Sequence, residues 1–351
     1  MKAKSITKGV LVLLGLFTTA LSTTAHAEVK LIGSGASFPF PIYSKWFKDF
    51  SKENKGVRVD YQAKGSGAGI QDFINNTVDF AASDAAMSEP EMAKVDKGSV
   101  LLPMTAGEVV LAYNLRGVKE LKLPRDVYPA IFMGKITKWN DPRIADANPG
   151  VKLPDQPITV VTRSDSSGTT YVFTKHLSAI NKEFADSVGT GKTVQWPTNN
   201  RFIKAPKNDG ITAQVKQNNG SIGYIEYGYA KLTGATTAML ENKSGNFIAA
   251  GAESGAAALA SAEFPTGTLP NSEVPNLIAW VSDPAGEKAY PIATFTWMLF
   301  YQEQDDAKAQ VLRDLVEYCL TEGQKSADKM GYIPLPDNVI AKVRDASKLI
   351  Q

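Results

Sequence analysis

Ile158-Thr159-Val160-Val161-Thr162-Arg163-Ser164-Asp165-Ser166-Ser167-Gly168-Thr169-Thr170, running into Tyr171 to Leu177, is the stretch on which the fold is read. Ile158 to Thr162 is a short β-branched run with strand character, and Tyr171 to Leu177 carries helical spacing. Between them lies a loop of small and hydroxyl residues. A strand, a Gly/Ser loop and a helix in that order make one unit of an α/β fold. The loop exposes unpaired backbone N–H groups at the positive end of a helix dipole, which suits an oxyanion. Arg163 adds a guanidinium able to fork onto two oxygens, and Asp165 stands two residues on, where it can hold that guanidinium. The competing reading of the same residues is a surface ion pair beside an N-cap.

The unit recurs. Lys30 to Ile32 leads through Gly33-Ser34-Gly35-Ala36-Ser37-Phe38 into Ile42 to Phe50, where Ile42, Trp46 and Phe50 share a helical face. Pro39 and Pro41 suit the loop and first turn. Val57 to Gln62 alternates as a strand before Gly65-Ser66-Gly67-Ala68-Gly69 and the helical run Ile70 to Asn76. Val78-Asp79-Phe80 precedes Ala81-Ala82-Ser83-Asp84-Ala85-Ala86-Met87-Ser88 and a helix expected from Glu89. Later come a helix over Ile211 to Gln217, a strand over Ser221 to Tyr227, a small-residue region from Gly251 to Ala262 and a strand-like run from Tyr290 to Tyr301. Neither a short-period repeat nor heptads interrupt this pattern. One Gly/Ser loop would be weak support for a ligand; four, each with a hydroxyl, can surround one small anion.

The N-terminus reads as a secretory signal peptide over residues 1–27. Lys2, Lys4 and Lys8 form its basic start, Gly9 to Leu21 its apolar stretch, and Ala25-His26-Ala27 its small-x-small cleavage site. That apolar stretch is short for a membrane span, and no later run approaches the ~20 apolar residues a spanning helix needs. No cysteine stands beside the cleavage site to take a lipid, and no Arg-Arg pair points to twin-arginine export. The expected compartment is the periplasm. Removing the segment takes out three lysines and no acid, so the net charge moves from +2 to −1 over 324 residues. A near-neutral chain with dispersed lysines leaves no footprint for nucleic acid or an anionic membrane, and its length favours two lobes.

The lone cysteine, Cys319, excludes an intramolecular disulfide. It falls in phase with Val311, Leu312, Leu315, Val316 and Leu320, so it is expected in the core as an inert thiol. Gly189-Thr190-Gly191-Lys192-Thr193 looks like the end of a nucleotide-binding P-loop, but the glycine required five positions before Gly191 is Asp186, so it reads as an ordinary loop. His176 is the only histidine after residue 27 and sits beside Phe173 and Leu177, a packed rather than catalytic setting.

Taken together, Ala36-Ser37-Phe38-Pro39, Gly65-Ser66-Gly67, Asn76-Thr77-Val78-Asp79-Phe80 with Ala82-Ser83-Asp84-Ala85, Arg163 to Thr169, Val188 to Thr193 with Trp196-Pro197, and Gly223-Tyr224-Ile225-Glu226-Tyr227 resemble the periplasmic phosphate-binding proteins of the phosphate-specific ABC transporter. The resemblance spans nearly the whole chain in order and is weakest from about Thr233 to Val281. It implies an α/β, two-lobed periplasmic binding protein (type II), each lobe a mixed sheet flanked by helices and joined to the other by a hinge. Lobe 1 is expected over 28–111 plus 289–351 and lobe 2 over 112–288. Carried over residue by residue, Ser37 and the Phe38 backbone N–H serve at the first loop and the Ser66 hydroxyl at the second. Asp84 accepts the phosphate proton, Arg163 is the cationic donor steered by Asp165, and Ser167, Gly168 and Thr169 give N–H and hydroxyl donors. Position 37 is often Thr in the family; Ser37 keeps the hydroxyl. The implied partners are inorganic phosphate and the membrane permease subunits and ATPase of the importer, with no cofactor and no metal.

Many donors would hold phosphate and sulfate alike, whereas one carboxylate acceptor suits an anion that keeps a proton near neutral pH and repels one that does not. Unpaired buried polar groups can discriminate by ~10⁴ to 10⁵. Arsenate should be rejected poorly by the same device. A secreted phosphatase would also cradle phosphate, but clustered metal ligands, a catalytic histidine and a Gly-x-Ser-x-Gly elbow are lacking in the sequence. A sulfate or molybdate receptor would share the loops without needing Asp84, and a surface adhesin is demanded by no feature.

Overall fold

The computed structural model describes residues 28–351; the expected signal peptide lies outside the described residues. The described residues form eleven strands: β1 Val29–Gly35, β2 Val57–Ala63, β3 Phe80–Ser83, β4 Ser99–Asn114, β5 Lys122–Leu123, β6 Thr159–Arg163, β7 Phe202–Ala205, β8 Ser221–Glu226, β9 Met239–Glu241, β10 Phe247–Ile248 and β11 Ala293–Tyr301. Eight of them form one mixed sheet in the order β2-β1-β3-β11-β4-β8-β6-β7, and β10-β9-β5 form a small second sheet.

The long strand β4 organises this sheet. Ser99 to Glu108 pairs antiparallel with β11, and Val109 to Asn114 pairs antiparallel with β8. One strand therefore belongs to both halves: β1, β2, β3 and β11 on one side, and β6, β7 and β8 on the other. Fifteen of its sixteen residues are buried, as expected of a strand covered on both faces. Sequence reading did not isolate it, because a strand buried on both faces does not alternate. Pro103 interrupts it, having no N–H to give the ladder, and the pairing slips by one residue there: Thr296 faces Thr105 while Trp297 faces Pro103.

β1 runs parallel to β2 and β3, and β6 parallel to β7 and β8. A parallel pair needs a crossover, and helices Phe40–Glu53, Ser66–Ile74, Gly168–Ile180 and Lys207–Gln217 supply them or pack beside them. Ile42, Tyr43, Trp46, Phe47 and Phe50 bury one face of the first, and the Trp46 indole N–H donates to the Gly323 carbonyl at 2.8 Å. In the other half Phe132, Phe173, Trp196 and Tyr224 make an aromatic cluster with ring centroids 4.5 to 6.0 Å apart.

Several elements depart from their expected bounds. β3 begins at Phe80 and takes Ala81, Ala82 and Ser83 out of the expected loop, since Gly33 to Gly35 pairs with Phe80 to Ala82. The helix at Glu89 is a single turn, Glu89–Met92. The helix expected from Ile211 starts four residues earlier at Lys207, and the strand expected from Tyr290 starts at Ala293. Cys319 is buried at the start of a π-turn that follows helix Asp306–Tyr318, and burial pushes its thiol well above the ordinary value, as an inert core thiol requires. No described helix is long and apolar enough to cross a membrane.

Because β4 joins the two halves, cavities along it should be costly. Leu111→Ala, at a position with no exposure, is expected to lower the unfolding free energy by about 2–5 kcal/mol. Urea unfolding followed by circular dichroism checks this; an unchanged midpoint would show that β4 is not a structural centre.

Candidate functional site

The C-terminal ends of β1, β3 and β6 and the N-termini of the helices after β1, β2, β6 and β7 converge at one place, where open α/β sheets gather ligands. Arg163, the last residue of β6, is at its centre, with only 1% of its side chain exposed. Its Nε donates to Asp165 Oδ1 at 2.8 Å and its Nη2 to Asp165 Oδ2 at 2.6 Å, a fork against a fork. Burial raises the Asp165 carboxyl, but its bonds to Arg163 and to the Lys207 N–H outweigh that, so it sits below the usual range and stays ionised. Two of the three remaining guanidinium N–H groups reach hydroxyls, Nη1 to Thr169 Oγ1 at 3.2 Å and Nη2 to Ser37 Oγ at 3.3 Å, which leaves one N–H on Nη1.

Asn208, which the sequence reading passed over, determines what those hydroxyls do. Its Oδ1 accepts from the Glu226 N–H at 2.9 Å, so its Nδ2 faces Ser37 Oγ at 3.0 Å and Thr169 Oγ1 at 3.1 Å, and its own N–H also donates to Ser37 Oγ at 3.1 Å. Both hydroxyl oxygens are thus loaded with N–H donors, and each O–H is left to donate elsewhere. Arg163 and Asn208 turn Ser37 and Thr169 into donors. No Gly-rich signature marks Asn208; the only signal was a strand, Phe202 to Ala205, followed by a helix start.

Ser37 and Phe38 are fixed by their carbonyls. Tyr229 Oη donates to the Ser37 carbonyl at 2.6 Å and Tyr332 Oη to the Phe38 carbonyl at 2.8 Å. A trans peptide directs the Phe38 N–H opposite to the Ser37 carbonyl, away from Tyr229. Gly168 and Thr169 open helix Gly168–Ile180, so their N–H groups have no partner within it. Ser167 is its N-cap: Oγ accepts from the Thr170 N–H at 3.0 Å, while its N–H donates to the Lys192 carbonyl at 2.8 Å and is engaged there. Arg163 is steadied once more through its backbone, whose N–H donates to Tyr224 Oη at 3.1 Å.

Asp84 follows β3 and is 1% exposed. Its Oδ1 accepts from Thr296 Oγ1 at 3.0 Å and its Oδ2 from Ser66 Oγ at 3.5 Å. Thr296, another residue the sequence did not reveal, stands where the β4–β11 register slips. Burial pushes the Asp84 carboxyl up to about 7, against the opposing pull of Thr296 and the Arg163 charge. It therefore sits between acid and carboxylate near neutral pH. Gly168 lies so close that a Cβ there would come 2.4 Å from Ser66 Oγ and 2.5 Å from Asp84 Oδ2, so only glycine fits. Gly65, at φ +95°, lets the second loop turn beneath Asp165, and the Gly67 N–H donates to the Ser166 carbonyl at 3.0 Å.

Arg163, Asp165, Ser37 and Thr169 are joined by direct hydrogen bonds, Ser66, Asp84 and Gly168 lie against one another, and Phe38 and Ser167 come to the site as chain neighbours of Ser37 and Gly168. His176 is not among them: it is buried against Tyr128 Oη at 2.9 Å, and burial pushes it down to about 3. Among the described residues no group of His, Cys, Asp and Glu could hold a metal ion.

A fold and a site of this kind define a class of protein. Residues 22–322 match the model of the PBP superfamily domain. The chain is 37% identical over 343 residues to the phosphate-binding protein PstS of Pasteurella multocida, covering 97% of this chain and 95% of that one. It is 38% identical over 323 residues to the PstS of Methanocaldococcus jannaschii, covering 87% and 82%. The fold is similar to that of the high affinity periplasmic phosphate-binding protein PfluDING bound with phosphate, at a TM-score of 0.74 and 22% identity, covering 90% of this chain and 93% of that one. It is also similar to a phosphate-binding protein from Stenotrophomonas maltophilia, at 0.72 and 24%, covering 91% and 94%. The chain belongs to the PBP superfamily, with the mixed α/β architecture of a type II binding protein. Within it, the chain is a member of the PstS family of phosphate-binding proteins.

The Asp165 carboxyl, held low in the folded chain, stabilises the fold above its unfolded pKa and loses that contribution as pH falls through its folded value. Asp165→Asn should be destabilised by about 3–5 kcal/mol at pH 7, because a buried guanidinium loses its countercharge. Its stability should also fall less between pH 5 and 2 than the parent's. Urea midpoints over that range test both; parallel curves would mean that the pair adds nothing to folding.

Proposed function

We propose that the chain binds inorganic phosphate in the periplasm and delivers it to the permease subunits and ATPase of an ABC importer, as a receptor and not an enzyme. The observation that carries this is one buried cluster that brings together a carboxylate-clamped guanidinium and a carboxyl poised between its two protonation states. Ser37, Phe38, Ser66, Arg163, Ser167, Gly168 and Thr169 would surround the anion with donors, and Asp84 would be the one acceptor, taking the proton that HPO₄²⁻ or H₂PO₄⁻ still carries. Asp165 would hold the guanidinium in place without touching the anion. Sulfate has no proton to give and would meet Asp84 as a repelling charge or an unsatisfied acceptor.

Burial of the anion requires closure. The two lobes would be 28–111 with 289–351, and 112–288, and β4 changes partners from β11 to β8 between Glu108 and Val109, close to the first of these boundaries. Bending there would part Gly168 from Ser66 and Asp84 and open a path for the ligand. Water that solvates phosphate would be replaced by charge-assisted hydrogen bonds set before binding. Turnover is unsupported by this arrangement, since His176 is packed against Tyr128 and no histidine lies in the site.

Calorimetric titration of the ligand-stripped protein should give one tight phosphate site and no sulfate heat at neutral pH. Equal sulfate affinity would overturn the role of Asp84, and no heat from either anion would overturn the receptor. Arg163→Ala should weaken phosphate binding by about 10²-fold or more, because a buried charged partner is lost. Ser37→Ala, which removes one hydroxyl, should weaken it by about tenfold. Asp84→Asn should gain measurable sulfate binding, as the repelling charge is gone; if sulfate heat stays absent, the discrimination lies elsewhere.

A further inference from the structure

The loop with the look of a P-loop end has a use of its own. Lys192 Nζ donates to Glu91 Oε1 at 2.7 Å, with both side chains about three-quarters buried (24% and 22% exposed). Glu91 lies after β3 and Lys192 before β7, strands in opposite halves of the large sheet. Among the ion pairs of the described residues, this is the only one that joins 28–111 or 289–351 to 112–288.

Both partners are held from behind and each leads directly to the site. Glu91 Oε2 accepts from the Ser88 N–H at 2.8 Å and Ser88 Oγ at 3.0 Å, a capping box that leaves Oε1 for Lys192. Ser88 stands four residues after Asp84. On the other side the Lys192 carbonyl accepts from the Ser167 N–H at 2.8 Å, and the neighbouring Gly191 N–H donates to Thr174 Oγ1 at 3.2 Å, so the lysine rides on the helix that presents Gly168 and Thr169. Burial raises the Glu91 carboxyl, but the bonds from Lys192 and Ser88 outweigh it and hold the group below the usual range, ionised for the pair.

Resting on the phosphate reading above, we propose that Glu91 and Lys192 form a latch across the cleft that sets how long the bound anion stays, without touching it. A contact made only after closure has no part in encounter, so it acts on release and leaves capture nearly unchanged. A pair this sheltered is screened less than a surface pair but still weakens with salt.

Stopped-flow measurement of phosphate association and release, by intrinsic tryptophan fluorescence, tests this in the parent, Lys192→Met, Glu91→Gln and the double variant. Glutamine can keep the capping box, and methionine leaves the Lys192 carbonyl in place, so folding is expected to hold; thermal unfolding checks it. Release should quicken about three- to tenfold in each single variant, with association changed less than twofold. The double variant should release no faster than either single, as coupled partners require, and the difference from the parent should shrink toward nothing near 1 M salt. A parent that binds phosphate but releases it no more slowly than Lys192→Met overturns the latch alone, as do additive effects in the double variant. A parent that binds no phosphate overturns the anion reading and the latch with it.

Discussion

A guanidinium with 1% of its side chain exposed cannot be left without a countercharge, and the site is arranged around that constraint. Removing an ion from water costs several kcal/mol even after relaxation, so Arg163 needs Asp165 two residues away and in forked geometry. Asp165 in turn needs Gly65 to pass beneath it without a side chain and the Lys207 N–H to satisfy a further lone pair. Two of its three other N–H groups go to Ser37 and Thr169, leaving one on Nη1, and Asn208 supplies the same two oxygens from the other side. The donors a ligand would meet are oriented before it arrives. Such preorganisation lowers the entropic and reorganisation cost of binding.

The single acceptor is treated in the opposite way. Asp84 has burial without a forked cationic partner, and only Thr296, Ser66 and a more distant Arg163 charge favour its ionised form, so it is driven up to about 7 while Asp165 is driven down. Two carboxyls in one pocket thus differ in protonation because their neighbours differ. Near-neutral Asp84 can take a proton from, or share one with, an anion that has one. The same burial makes it a poor neighbour for an anion that has none.

Strand β4 connects these local arrangements to motion. Its first ten residues belong to one half of the sheet and its last six to the other, so the bending proposed near the junction would move Gly168 and Thr169 relative to Ser66 and Asp84. Contacts across the gap, from the Gly67 N–H to the Ser166 carbonyl and from Lys192 to Glu91, exist only when the halves are together. On the proposed closure, binding energy and closing would be linked, and a residue far from the ligand would set its residence time.

Much of this was legible in the sequence. Arg163, Asp165 and the four Gly/Ser loops were readable because local chemistry repeats a local pattern: a strand, an exposed turn of small residues, and a helix N-terminus. Cys319 was readable from its helical phase, whereas Asp84 was picked out only by the resemblance to the phosphate-binding family. β4 was hidden because burial on both faces erases alternation, and the start of β3 was misjudged because Ala81 and Ala82 are small enough for strand or loop until Gly33 to Gly35 pairs with them. Asn208, Thr296, Tyr229 and Tyr332 carry no motif; they matter because residues 171 to 294 positions apart meet at the first loop and at Asp84. Groups able to hold an anion can be picked out along the chain, since donor chemistry and helix starts are local properties. Which hydroxyls donate, which carboxyl is pushed toward its protonated form and which lysine reaches the other half of the sheet depend instead on neighbours brought together by β4 and the strands around it.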